Sequence, residues 1–458
     1  VRLIAGTFVV CGLGTILQTA LGLRLALLQG VAFAYIPSVR AYMNLEGNRC
    51  NATIHDFVPA EVYENKLAII QGTLVVVSVL KVLVGATGFI GKMTKYIGPM
   101  TVSSLLILLM VESVTITVKR MEQHWISLIM AVALFATVLY LPRVNVPCPA
   151  YVNGKFSFVG FNVFGQFPYL TAILFSWFLC WLMTVFELIP KDSVARTDKN
   201  GTIMAIQNAP WARVPLPGQF GMPKFNVGLF MAFIVSGLTT MFEAVGNYHA
   251  VARERPPPSH AINRGIVAEG LGCLIAALIG PCVGITTHAE NVGVIGITRV
   301  ASRVTKIFLI GKFLFFIVKD IKSFRQCQHT LWTLFRPPLL MPAVVIPEYY
   351  KRNPNTVKTG VLELDQVIEV LMTLPMFVGS FAAFVLDNTV GGATRQQRGL
   401  RERGVVWELS ADGRDVYAFP GPLQRTVEAI PLLKYMPFMP KQKKANANLR
   451  NGFGENKF

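Results

Sequence analysis

Two carboxylates interrupt stretches that otherwise read as membrane helix: Glu243 in GLTTMFEAVGNYHA and Glu290 in HAENVGVIGITRV. Placing an acid at the centre of a membrane helix costs roughly 2.5–3.5 kcal/mol on insertion scales. Each is therefore expected to face a polar cavity inside a helical bundle. The competing account, an acid at a helix end or in a surface loop that reaches water, stays open for both. The segment before Glu290, GPCVGITTHAEN, is too polar and glycine-rich for a helix facing lipid. Irregular backbone survives at that depth only where protein or a cavity covers it. From Asn291 to Val300 the chain reads as a short half-helix, whose first N–H groups would point at whatever sits beside Glu290. Two carboxylates with nearby amide groups suit a small planar ligand rich in N–H and C=O, because a carboxylate accepts ring N–H bonds and backbone N–H groups meet ring carbonyls. Nucleobases fit that description, whereas a phosphate ligand does not.

The remaining polar interruptions allow blander readings. Lys81 and Glu112 are expected to snorkel toward an interface. Arg264 and Glu269 stand near the start of a span and are expected to anchor it. His249 and His288 are positioned to relay protons or to fill structural roles. GATGFIGKMT (Gly85–Thr94) has the wrong spacing for a phosphate-binding loop, and Met93 stands where the magnesium-binding hydroxyl belongs. GFGENK near the C-terminus lacks the strand and helix of a dinucleotide site. There is no Ser/His/Asp set with spacing for nucleophilic catalysis, and the seven cysteines include no CxxC pair. An enzyme, a resident metal and a bound cofactor are therefore not expected.

The elements that must position these residues are apolar runs. Of the 458 residues 53% are hydrophobic and 15% charged, against roughly 25% charged in soluble domains. Runs of about 18 or more apolar residues mark membrane spans. They are expected at about Leu3–Leu21, Leu25–Ile36, Leu67–Ile90, Ile97–Val118, Ile126–Leu141, Tyr169–Ile189, Phe225–Ala252 and Val361–Leu386, with shorter segments at Ile266–Ile279, Val292–Val300 and Ile307–Val318. An even number of expected spans separates the sequons at Asn51 and Asn200, so both fall on one side, which suits glycosylation on an extracellular or lumenal face. The net charge of +18 belongs to loops and to the tail after Gly391, where it meets anionic lipid rather than nucleic acid. The stretch KYMPFMPKQKKANANLR reads as a solvated basic end.

The run Glu290-Asn291-Val292-Gly293, followed by Val-Ile-Gly-Ile and then Thr298-Arg299, resembles the signature of the nucleobase–ascorbate transporter family: an acid, amide or proline, then Asn-x-Gly, four residues, Thr and a basic residue. PPPSHAINRGIVAEG, LQTALGLRLALLQG, TGVLELDQ and MFVGSFAAFVLDNTV extend the resemblance over nearly the whole chain, toward the animal branch that includes the vitamin C carriers. The resemblance implies an all-α polytopic membrane protein. Its fold would be an inverted-repeat transporter with core and gate domains, two short strands at the substrate site, and a possible homodimer. It implies that Glu243 and Glu290 grip the substrate, with Asn291, Gln29, Phe33 and Thr287 beside it, that Gly293, Thr298 and Arg299 complete the transport motif, and that Na+ or H+ drives uptake. Glu290, where the vitamin C carriers have proline, favours uracil, xanthine or a relative; sodium-coupled ascorbate transport is the alternative.

The same resemblance divides the chain. Residues 1–90 and 225–318 are expected to form the core domain. Residues 91–224 form the first part of the gate with a long extracellular loop, 319–390 a residual gate, and 391–458 a basic cytoplasmic tail. Three departures stand out. Val1 aligns near the family's second segment, Asn247 replaces an expected aspartate, and KDIKSFRQCQHTLWTLFRPP within Val304–Glu348 is too charged to span a bilayer. The chain is thus expected to be truncated relative to the fourteen-segment fold, and an inactive membrane protein with an incomplete gate is a further alternative. A multi-pass location, in the plasma membrane, follows from the spans, the sequons and the resemblance.

Overall fold

The computed structural model describes residues 2–44, 60–93, 121–152, 155–198 apart from 192, 217–218, 221–252, 257–280, 283–288, 291–292, 341–353 and 371–389, with isolated positions between and after these, among them 417, 419 and 436–439. The expected spans at Ile97–Val118 and Ile307–Val318, and nearly all of Val292–Val300, lie outside these residues.

Helix α1 (Arg2–Ala20) carries the first apolar run. A turn through Arg24, whose φ is 64°, leads to the three-residue strand β1 (Gln29–Val31) and to α2 (Tyr35–Asn44). The expected apolar run Leu25–Ile36 is therefore not a span but a turn, a strand and a helix start. The long α3 (Ala60–Ala86) and the short α4 (Phe89–Met93) follow. Helix α5 (Ile126–Phe135) continues as a π-helical turn over Ala136–Tyr140. Next come strands β2 (Val146–Val152) and β3 (Lys155–Phe161), the short α6 (Val163–Gln166) and α7 (Pro168–Val185), which begins with proline at its first position. There the missing N–H removes no helical bond.

Helix α8 (Val227–Val251) is capped by Asn226, whose side chain accepts from the Leu229 N–H at 3.0 Å. That cap satisfies one of the donors a helix start leaves open. Helix α9 (Ser259–Ile279) ends on Gly280 at φ 95°, a left-handed conformation that suits glycine. The chain then runs into β4 (Ile285–Thr287). Helices α10 (Met341–Arg352) and α11 (Pro375–Thr389) pack on one another near the end.

Among the described residues four helices are long and apolar enough to cross a membrane: Val62–Ala86, Pro168–Val185, Val227–Val251 and Ser259–Ile279. The distribution of side chains supports that reading. Apolar groups such as Leu83, Leu174, Phe175, Phe178, Trp181 and Leu128 are exposed, while Gln18, Gln29, Gln71, Thr73, Lys81, Glu243, Asn247 and Glu269 are buried. In water this arrangement would be unfavourable on both counts. In a bilayer the exposed apolar surface meets acyl chains, and polar groups belong in the bundle interior.

The chain is mostly helical, and two short strands pair as the family resemblance implies; the all-α expectation is corrected by a further hairpin, so that the described residues contain two two-stranded sheets. Strands β2 and β3 form an antiparallel hairpin in register from Val146↔Phe161 to Val152↔Lys155. Strands β1 and β4, far apart in sequence, pair antiparallel as Gln29↔Thr287, Gly30↔Thr286 and Val31↔Ile285. Around this second pair gather α1, α3, α8 and α9. Their core includes Leu27, Met241, Val245, Tyr248 and Ile266 on one side, and Tyr35, Leu74, Val77 and Phe233 on the other. Helix α5 packs on α7.

The stretch KYMPFMPKQKKANANLR is expected to be a solvated end, but at its described positions it docks: Met439 is buried, and the Pro437 carbonyl accepts from Asn263 Nδ2 at 3.2 Å. Ahead of it, Tyr417 is buried in the α8–α9 core.

Candidate substrate site at the strand crossing

The two short strands cross inside a helical bundle, so every backbone group that their three-residue ladder leaves over needs a partner. Side chains from three helices supply them. The Gln29 N–H donates to Thr15 Oγ1 of α1 at 2.9 Å. The Thr287 N–H donates to Glu269 Oε1 of α9 at 2.8 Å. The Thr287 carbonyl accepts from Asn247 Nδ2 of α8 at 2.7 Å. Cys273 Sγ donates to the Ile285 carbonyl at 3.0 Å and accepts from the Ile285 N–H at 3.3 Å. Beyond the ladder, the Ala32 N–H donates to the Gly284 carbonyl and the His288 N–H to the Leu28 carbonyl.

The crossing also requires small residues. A Cβ on Gly30 would stand 2.0–2.1 Å from the ring atoms of His288, so the imidazole lies directly against the glycine. Gly14 of α1 and Gly272 of α9 make room for Ile285, whose Cδ1 would be 2.4 and 2.5 Å from a Cβ at those positions.

At the centre is Thr287, fully buried. Its hydroxyl donates to Glu269 Oε1 at 2.9 Å and accepts from Gln29 Nε2 at 2.7 Å. With its N–H and carbonyl also taken, Thr287 has its polar groups committed to the protein. Gln29 is buried as well, and its Oε1 has no hydrogen-bond partner among the described residues. That oxygen is the acceptor which β1 offers.

Glu243 is 3% exposed. It lies between Thr240 and Asn247 at helical spacing, so these three share one face of α8. That face meets β4: Thr240 through its carbonyl, 3.5 Å from Thr286 Oγ1, and Asn247 through the bond already described. Phe33, half-buried just after β1, stands edge-on to His288 with ring centroids 5.7 Å apart. Asn291 is buried, and its Nδ2 lies 3.4 Å from the Ala26 carbonyl, on the approach to β1. Gln29, Phe33, Thr287, Asn291 and the Glu243 face of α8 thus converge on the strand crossing. Glu290, Gly293, Thr298, Arg299 and both sequon asparagines, Asn51 and Asn200, lie outside the described residues.

Three sequence expectations need correcting. Lys81 does not snorkel: it is 1% exposed, its Nζ is 3.0 Å from Glu269 Oε2, and it donates to Thr240 Oγ1 at 3.1 Å. Glu269 does not anchor a helix end; its carboxylate binds β4 through the Thr287 N–H and hydroxyl. Arg264 is buried and binds the tail, donating from Nε to the Gly22 carbonyl at 2.7 Å and from Nη2 to the Tyr417 carbonyl at 2.5 Å. Its guanidinium lies 4.3 Å from the centroid of the Phe419 ring. The signal that could have found the first pair was present: a basic residue inside an apolar span and an acid inside another, each needing the other at membrane depth.

A mostly helical, multi-pass membrane protein with a polar strand crossing at its centre defines the class of small-molecule transport protein. The comparisons agree. The model of a family described as the permease family, Xan_ur_permease, matches residues 1–316. Solute carrier family 23 member 2 of Mus musculus is 32% identical over 497 residues, covering 96% of this chain and 74% of that protein. Solute carrier family 23 member 1 of Rattus norvegicus is 32% identical over 505 residues, covering 96% and 80%. Nucleobase-ascorbate transporter 5 of Arabidopsis thaliana is 27% identical over 469 residues, covering 92% and 85%. The chain belongs to the nucleobase–ascorbate transporter family, and it is a membrane transport protein rather than an enzyme.

Proposed function

We propose that the chain moves a nucleobase, uracil, xanthine or a close relative, across the plasma membrane by cation symport, and that the substrate sits at the crossing of β1 and β4. The observation that carries this reading is the burial of Glu243 on the one face of α8 that also binds β4. A carboxylate held there accepts ring N–H bonds, and the free Gln29 Oε1 is a second acceptor. Phe33 and His288 offer flat surfaces for a planar ring. Glu290 is assigned to the same site from the family signature, with Asn291 beside it.

A core domain made from residues 1–90 and 225–318 is supported by the packing of α1, α3, α8, α9 and both short strands on one another, while α5 pairs with α7 within 91–224. An inverted repeat is supported by the order helix, short strand, helix, which occurs as α1–β1–α2 and again as α9–β4 followed by helical residues at Asn291. The two strands pair antiparallel, an arrangement compatible with a two-fold axis perpendicular to them in the membrane plane.

Ascorbate transport is the second reading. It is favoured by the identity to family 23 carriers, at 32% against 27% for the plant relative, together with the resemblance to the vitamin C branch. An inactive chain with an incomplete gate is the third, favoured by the charge density of the segment before Glu348 and by a family match that runs to residue 316.

The deciding experiment is uptake of labelled uracil, xanthine and ascorbate in oocytes or proteoliposomes by the native chain and by Glu243→Gln. Losing a buried hydrogen-bond partner of a polar ligand costs about 1.5–3 kcal/mol, so a drop of roughly 10–100-fold in nucleobase uptake is expected. Uptake of ascorbate alone selects the second reading. No uptake of any of the three by a chain shown to reach the membrane selects the third.

A further inference from the structure

The pair Lys81–Glu269 is the least expected feature of the crossing. Both side chains are buried to within about one per cent of full burial, and the carboxylate does more than meet its partner. Through Oε1 it binds the Thr287 N–H, the Thr287 hydroxyl and, at 3.4 Å, the Thr286 hydroxyl, so it holds β4 in place. Its other oxygen, Oε2, meets the ammonium at 3.0 Å. The ammonium neutralises it at contact distance. The same ammonium touches a second oxygen, Thr240 Oγ1, at 3.1 Å.

A buried carboxylate without a positive partner is strongly destabilised and must be neutralised by a proton or a cation. Carboxylate and hydroxyl oxygens around a compact monovalent charge are the ligands that a hard inorganic cation takes. We infer that Lys81 is a tethered counter-cation: its Nζ occupies the position that a small monovalent metal ion would otherwise fill at the strand crossing, linking α3, α8, α9 and β4 without drawing an ion from solution. The crossing is locked by a charge that cannot dissociate. Any ion that drives transport binds elsewhere in the chain.

This inference does not require the chain to be active, so its test need not involve transport. The full-length chain is purified in detergent and melted in sodium chloride, potassium chloride and choline chloride at equal ionic strength. The native chain, Lys81→Gln and Lys81→Arg are compared. Glutamine is shorter, leaves room beside Glu269 and supplies a carbonyl oxygen. The Gln variant is expected to melt below the native chain in choline and to regain at least about 2 °C in sodium or potassium beyond whatever shift the native chain shows. Adding Glu269→Gln to it should abolish that extra shift. The Arg variant, which keeps the charge, should show no extra shift. An extra shift that is absent in Lys81→Gln, or that survives Glu269→Gln, overturns the inference. So does a Gln variant that is unfolded in all three salts, because the inference requires the metal ion to restore it.

Discussion

The amide of Asn247 donates to the carbonyl of Thr287 at 2.7 Å, joining α8 to β4 one helical turn beyond Glu243. The bond has a direction: α8 must donate, because the strand offers a carbonyl. Asn247→Asp would place an acceptor against an acceptor unless the new carboxyl is protonated. The protonated acid donates in place of the amide, and the ionised acid repels. Uptake by this variant, taken as a ratio to the native chain at the same pH, is expected to be highest at low pH and to fall as pH rises. Labelled-substrate uptake between pH 5 and 8 measures it. A variant with native uptake at every pH would show that this bond does not position the strand.

Gly30 is expected to tolerate no side chain, because a Cβ there falls on the His288 ring. Gly30→Ala should lower uptake and stability by about 1–3 kcal/mol, the usual cost of overpacking. His288→Ala in the same chain should restore much of the loss. A double-mutant cycle read by thermal melting gives the coupling directly; additive effects would mean that the imidazole is free to move away.

Thr15 supplies the only described partner for the Gln29 N–H. Thr15→Val keeps the shape of the side chain and removes the acceptor, leaving a buried donor unsatisfied. The expected loss is about 1–3 kcal/mol in stability, with uptake reduced because β1 is no longer held against α1. Thr15→Ser, which keeps the hydroxyl, should behave much like the native chain. Equal effects of Val and Ser would assign the change to packing rather than to the hydrogen bond.

Arg264 fastens the tail through the Tyr417 carbonyl and the Phe419 ring. Arg264→Ala should release the segment around Tyr417 and expose it to exchange and to added protease, while Arg264→Lys, which lacks the planar fork, should release it in part. Hydrogen–deuterium exchange of peptides spanning Tyr417 and Met439 is the measurement. Unchanged protection in both variants would show that burial of Tyr417 alone holds the tail.

Much of the architecture was legible in residue order because a membrane helix is a local property. Apolar runs of the right length placed α1, α3, α7 and α8 to within a few residues, except that α3 begins earlier at Ala60, and α9, expected only over Ile266–Ile279, begins at Ser259. The hairpin was legible too. Lys155-Phe-Ser-Phe158 alternates polar and apolar residues, and Asn153-Gly154 stands between the strands, a strong hairpin signal. Pro147 and Pro149 in the first strand obscured it.

By itself the sequence determined most of the segments that are long and apolar enough to cross a membrane, the burial of Glu243 and the signature at Glu290–Arg299. Hydropathy, helix caps and motif spacing act between near neighbours. Only the tertiary structure decided how Leu25–Ile36 divides into a turn, the strand Gln29–Val31 and a helix start, since the strand's partner β4 lies far along the chain. It alone paired Lys81 with Glu269 and turned an arginine at a helix start into the clasp of the tail. Those outcomes come from charges and backbone groups that must find partners where water is absent. Which partner they find depends on which helices pack together, and no single stretch of sequence encodes that.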